Sequence, residues 1–103
     1  MREYSIILPT HDNDGHDLSL THTALKRELI HNCNGYSATA QTGGWLNDKG
    51  ELFEEPSIRY TVASAAGSEF NVKHTAKKYG ILAGQQAMYV VLDGTVEIII
   101  IGE

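Results

Sequence analysis

Residues 36–63 read YSATAQTGGWLNDKGELFEEPSIRYTVA. Two stretches rich in β-formers, 36–46 and 51–63, flank Asn47-Asp48-Lys49-Gly50, a strong hairpin turn signal. The second stretch alternates. Leu52, Pro56, Ile58, Tyr60 and Val62 fall on one face, and Phe53, Glu55, Ser57, Arg59 and Thr61 on the other. Pro56 has no N–H, so its position should lack a ladder partner on that side.

Working outward from this hairpin, residues 3–9 read as a strand stopped by Pro9. Residues 10–18 are polar and contain Asp12, Asn13, Asp14 and Gly15, the composition of a loop. Residues 19–33 predict a helix. Leu25, Leu29 and Cys33 recur at i+4, Ile30 widens the stripe, Ser19 or Thr21 can cap the start, and Gly35 can stop it. Residues 69–83 predict a second helix, with Val72, Ala76, Tyr79 and Ala83 on one stripe, Ser68 as cap and Gly84 as stop. Residues 87–92 and 95–101 predict strands joined by Asp93-Gly94, a type I′ signal.

The order is therefore β-α-β-β-α-β with an extra C-terminal strand. That is an α+β, ferredoxin-like pattern: an antiparallel sheet with two helices on one face, built from residues 1–103 as a single domain. Both terminal strands look apolar on both faces, yet two helices can cover only one face. The open face needs a cover, and the simplest is another copy of the chain. A closed ring such as a homotrimer is expected.

The composition excludes several classes. The chain has 103 residues, 42% of them hydrophobic and 20% charged, which argues against disorder and repeats. Cys33 is the single cysteine, so no internal disulfide can form and a reducing cytoplasm fits. Met1-Arg2-Glu3 carries acid where an export signal would be apolar, and no run is long enough for a bilayer. A net charge of −5 argues against broad nucleic-acid binding.

The five histidines (His11, His16, His22, His31, His74) lack the spacing of a helical metal pair. The loop from His11 to His16 holds ligand-type side chains but reads as a polar turn, and no metal or cofactor is expected. Walker, GxGxxG and GxSxG patterns are absent. Cys33, on an apolar stripe, reads as core rather than nucleophile. Tyr60 reads as plain core. His74, Lys77 and Lys78 read as a solvated helix face whose alternative is a phosphate site.

The segment 42–60 carries the candidate chemistry. Trp45, the single tryptophan, follows Gly43 and Gly44, which permit close approach. Glu54 and Glu55 are adjacent in a strand, so they face opposite ways. The alternation puts Glu55 with Arg59 on the face away from the helices, although one bulge would exchange Glu54 for Glu55. A carboxylate covered there must be paired, hydrogen-bonded or bound to a ligand, and a Glu55–Arg59 structural pair within the oligomer is the plain alternative.

Thr42-Gly43-Gly44-Trp45, the Glu54-Glu55-Pro56-Ser57-Ile58-Arg59 stretch and Gln85-Gln86-Ala87-Met88-Tyr89-Val90 after a helix resemble the phage S-adenosylmethionine lyases. These form trimers related in architecture to the PII signalling proteins. Two departures stand out: the family's tyrosine is Trp45, and its acid near the second helix end is Gln85 or Gln86. A branch of similar fold acts on the adenylated derivative (SAM-AMP) of type III CRISPR systems, an anti-defence setting. The resemblance implies a lyase that makes methylthioadenosine, or its adenylated form, and homoserine lactone from a small adenosyl substrate. Glu55 and Trp45 would be catalytic. Glu54, Arg59, Gln85, Gln86, Lys77 and Lys78 would bind substrate, the basic residues meeting an extra phosphate. Two alternatives are a PII-like binder that senses or sequesters an adenine nucleotide, and an oligomeric interaction protein without a small ligand.

Overall fold

The computed structural model describes residues 1–65 and 71–102. The elements are β1 (Arg2–Pro9), α1 (Ser19–Cys33), β2 (Ser37–Leu46), β3 (Leu52–Ser64), α2 (Val72–Leu82), β4 (Ala87–Leu92) and β5 (Thr95–Ile100). The five strands form one sheet in the order β2-β3-β1-β4-β5, antiparallel throughout. The order and the two helices are those of a ferredoxin-like α+β fold with an added edge strand.

The hairpin turns where expected. Asn47 Oδ1 accepts from the backbone N–H groups of Lys49 and Glu51 at 2.9 Å each, and Gly50 takes φ +77°, a region open to glycine. The register then pairs Trp45 with Phe53 and Gly43 with Glu55, with no bulge between. Pro56 lies one residue beyond the last β1–β3 pair, Pro9 with Ser57. Its carbonyl accepts from Thr10 N–H at 3.1 Å on the β1 side. An N–H there would face the Thr10 carbonyl, which accepts instead from Leu18 N–H at 3.0 Å, so proline leaves no group unsatisfied.

The core lies between sheet and helices. Even-numbered residues of β1 and β3 (Ile6, Leu8, Tyr60, Val62) meet Met88 and Val90 of β4 and the helix residues Leu25, Leu29, Val72, Ala76 and Tyr79. The helix α2 has no Cβ at Gly80; one placed there would stand 2.7 Å from Met88 Cγ and 2.8 Å from Ile101 Cδ1. This glycine lets α2 sit closely on β4.

Several expectations need correction. Ile30 is exposed, and the buried side of α1 is instead His22, Leu25 and Leu29. A residue next to Leu29 is turned by about 100° around the axis and leaves the sheet. The residue before α1 is Leu18, without a side-chain cap; Asp17, one residue earlier, accepts from Ser19 N–H and from its hydroxyl. Asn34, not Gly35, takes the left-handed position after α1, at φ 64°. The second helix begins at Val72. Asn71 is its cap, in extended conformation, and its side-chain oxygen accepts from His74 N–H at 3.1 Å. Ser68 and the expected helix positions 69 and 70 lie outside the described residues. Finally, β5 is not apolar on both sides, because Glu97 faces the helix layer and pairs with Lys73 at 2.8 Å.

Candidate functional site

The face of the sheet away from the helices carries a cleft of about 400 Å³. Its floor is built by register. Ile7 of β1 lies between Arg59 of β3 and Tyr89 of β4, Pro9 opposes Ser57, and Gln41 of β2 opposes Ser57 from the other side. All carry odd numbers, and on β1, β3 and β4 the even-numbered residues fill the core, so pleating turns the odd ones to this face. Glu55 and Trp45 extend the wall along the β2–β3 ribbon, and Gln85 closes the end that follows α2.

Of the expected residues, Trp45, Glu55, Arg59 and Gln85 therefore share one cleft. The continuous register turns Glu54 to the opposite face, beside Gly44. Gln86 is not in the cleft wall; its carbonyl accepts from Ile101 N–H at 2.9 Å. Lys77 and Lys78 stand on α2, on the other side of the sheet, and Lys78 is held by Glu28 at 2.7 Å. Of the three basic residues expected to meet a phosphate, Arg59 lines this cleft and Lys77 and Lys78 do not.

Trp45 and Phe53 are cross-strand neighbours, and their rings stack at 4.7 Å with planes 18° apart. Trp45 remains 51% exposed, so a flat apolar face is open to a ligand. Glu55 is exposed and Arg59 half-buried in the single chain. Among the described residues neither side chain has a hydrogen-bond or ion-pair partner. They do not pair within the chain. Four strand positions separate their Cα atoms by about 13 Å, so a pair between these two residues would have to form across subunits of an oligomer.

Gln41, Ile7 and Tyr89 of the cleft wall were not expected, nor was Phe53, which stacks on Trp45 without lining the cleft. Phe53 had a signal, because a hairpin centred on residue 49 places 45 opposite 53. Ile7 and Tyr89 had none, because their neighbours depend on strands distant in sequence.

Elsewhere, Tyr60 is buried with a hydrogen bond to His22, and burial, with Tyr36 nearby, pushes its hydroxyl up to about 12. Burial also raises the Cys33 thiol, away from the thiolate form that a nucleophile needs. Asp12, Asp14 and His16 cluster in the β1–α1 loop, where Asp12 accepts from His16 and from the backbone of Asp14, the geometry of a polar turn. Among the described residues, no helix is long and apolar enough to cross a membrane.

These features define a ferredoxin-like α+β domain whose open sheet face holds a cleft with an aromatic platform, a carboxylate and a guanidinium. No family model and no curated protein sequence matches the chain. Two solved structures share the fold. One is a phage SAM lyase in its apo state, with TM-score 0.68 and 16% identity over 98% of this chain and 90% of the other. The second is a phage SAM lyase in complex with S-methyl-5′-thioadenosine, with TM-score 0.68 and 17% identity over 95% and 88%. The resemblance is remote in sequence and spans nearly the whole chain.

Proposed function

We propose that the chain is a carbon–sulfur lyase acting on S-adenosylmethionine or on its adenylated derivative. One observation carries the reading: Trp45, its ring stacked on Phe53, shares one cleft with the unpaired Glu55 carboxylate. The shared fold supports it, since one neighbour holds a thioadenosine.

The reaction asks little of the protein. The substrate's own carboxylate oxygen forms a bond to its γ-carbon while the bond from that carbon to sulfur breaks. Sulfur keeps the electron pair and leaves as a neutral thioether. The products are methylthioadenosine, or its adenylated form, and homoserine lactone. No proton has to move. Opposite charges vanish along the path, so tightening contacts to the sulfonium alone would stabilise substrate more than transition state. The useful work is conformational: hold the chain bent and keep water out. The aromatic pair takes the adenine face, Glu55 steers the cationic end and Arg59 takes an anionic group, with Gln85 at the cleft's end. Of the remaining candidates, Glu54, Gln86, Lys77 and Lys78 stand outside this cleft and are left without a role in it.

The open face beside the cleft supports assembly as a homotrimer. Val96, Ile98 and Ile100 are 49%, 54% and 47% exposed there, and Tyr89 and Val91 adjoin them. Such a patch is unusual on a soluble monomer, and a neighbouring copy would also dry the cleft.

The test is a chromatographic product assay with S-adenosylmethionine and with the adenylated derivative, on wild type and Glu55→Gln. Product from wild type and none from the assembled variant is expected. Normal turnover by Glu55→Gln would remove Glu55 from the mechanism. The loss of a hydroxyl at Trp45 favours a second reading, a PII-like nucleotide binder, which predicts thermal stabilisation by the nucleotide without product.

A further inference from the structure

His22 is the one histidine buried in the core, 7% exposed on the first turn of α1. Both of its ring nitrogens are engaged. Nε2 lies 2.8 Å from the Pro9 carbonyl oxygen and Nδ1 2.5 Å from the Tyr60 hydroxyl. A carbonyl can only accept, so Nε2 carries the proton and Nδ1 accepts from Tyr60. The bonds reach two different strands. Pro9 ends β1, and the β1–β4 ladder stops two residues earlier, at Ile7 with Tyr89. Tyr60 lies on β3, directly after Arg59.

Both contacts sit beneath the cleft. Pro9 lines it, and so do Ser57, the β3 partner of Pro9, and Arg59. One imidazole therefore ties the end of β1 to β3 from the helix side, where those strands form the floor. Beyond this point β1 leaves the sheet, and Thr10 N–H on the Pro56 carbonyl is the last backbone tie between them.

We propose that His22 is a positioning residue for the cleft, holding Pro9 and the Ser57–Arg59 stretch in fixed relation through Pro9 and Tyr60. The inference rests on the reading of this cleft as the active site. Glutamine can place an amide N–H near the position of Nε2, whereas leucine fills the volume and donates nothing.

The experiment compares wild type, His22→Gln and His22→Leu at a temperature where circular dichroism shows all three folded. Amide hydrogen exchange is measured at Thr10 and residues 57–59, together with kcat and KM. In His22→Leu, exchange at these amides should rise about tenfold relative to amides of the β4–β5 hairpin, the scale of one lost buried hydrogen bond. The ratio kcat/KM should fall about tenfold or more, because small displacements of reacting groups are costly. His22→Gln should recover most of both. Unchanged local exchange in His22→Leu, or a uniform rise across the chain that Gln does not reverse, overturns the proposal. If His22→Leu does not fold, Tyr60→Phe, which cuts one of the two ties, is measured in its place, with the same local rise expected. A wild type that neither turns over substrate nor binds methylthioadenosine removes the functional reading, and the exchange pattern still decides whether His22 holds the floor.

Discussion

The two faces of the sheet are built from the same strands and do opposite work. On the helix side, Ile6, Leu8, Tyr60, Met88 and Val90 are shut away from water. On the other side, one residue along each strand, stand Ile7, Arg59, Tyr89 and Glu55. The first face is apolar with polar groups satisfied in place. The second mixes an unpaired carboxylate, a guanidinium and stacked aromatics with an uncovered apolar flank. The difference shows that the two helices bury one face of the sheet and leave the other open.

Five changes probe that contrast. The largest effect belongs to the covered face. Leu25, fully buried, should cost about 2–5 kcal/mol when replaced by alanine, read as a shift in the urea midpoint. A cost below about 1 kcal/mol would mean that this face is not the main source of stability.

The Tyr60 hydroxyl comes next. Its raised value, about 12, means the folded state favours the protonated phenol. Its stabilising contribution is fully present below the ordinary value near 10 and is lost as pH rises from there through about 12. Over that window it amounts to about 3 kcal/mol. Tyr60→Phe should flatten the alkaline part of the stability profile; an unchanged profile would assign it to other groups.

On the open face the effects should be on binding and assembly. Trp45→Ala should weaken methylthioadenosine binding about tenfold by calorimetry, in line with the loss of one aromatic contact, with little change in the stability of the chain. Ile98→Asp should lower the mass in light scattering to that of a monomer that remains folded, since Ile98 contributes to no core within one chain. A mass that stays unchanged would take this flank out of the interface.

The smallest effect is expected at the helix surface. Lys78→Ala removes an exposed pair with Glu28, and stability should change within the range of ordinary surface substitutions, less still at high salt.

Much of this was written in the local sequence. Turn chemistry at Asn47–Gly50 and Asp93-Gly94, alternation along β3 and the stripe of α2 each depend on residues a few positions apart, and such short-range preferences act before any tertiary contact forms. The parity of β3 even placed Glu55 and Arg59 on one face. The exposure of Ile30 and the burial of His22 were not legible, because they depend on which side of a helix the sheet meets. The cleft itself is the clearest case. Ile7, Arg59 and Tyr89 lie far apart in the chain, and only the pairing of β1 between β3 and β4 brings them side by side. Periodicity assigns a side chain to a face, but its neighbour across the ladder is set by register, and register is a property of the folded sheet.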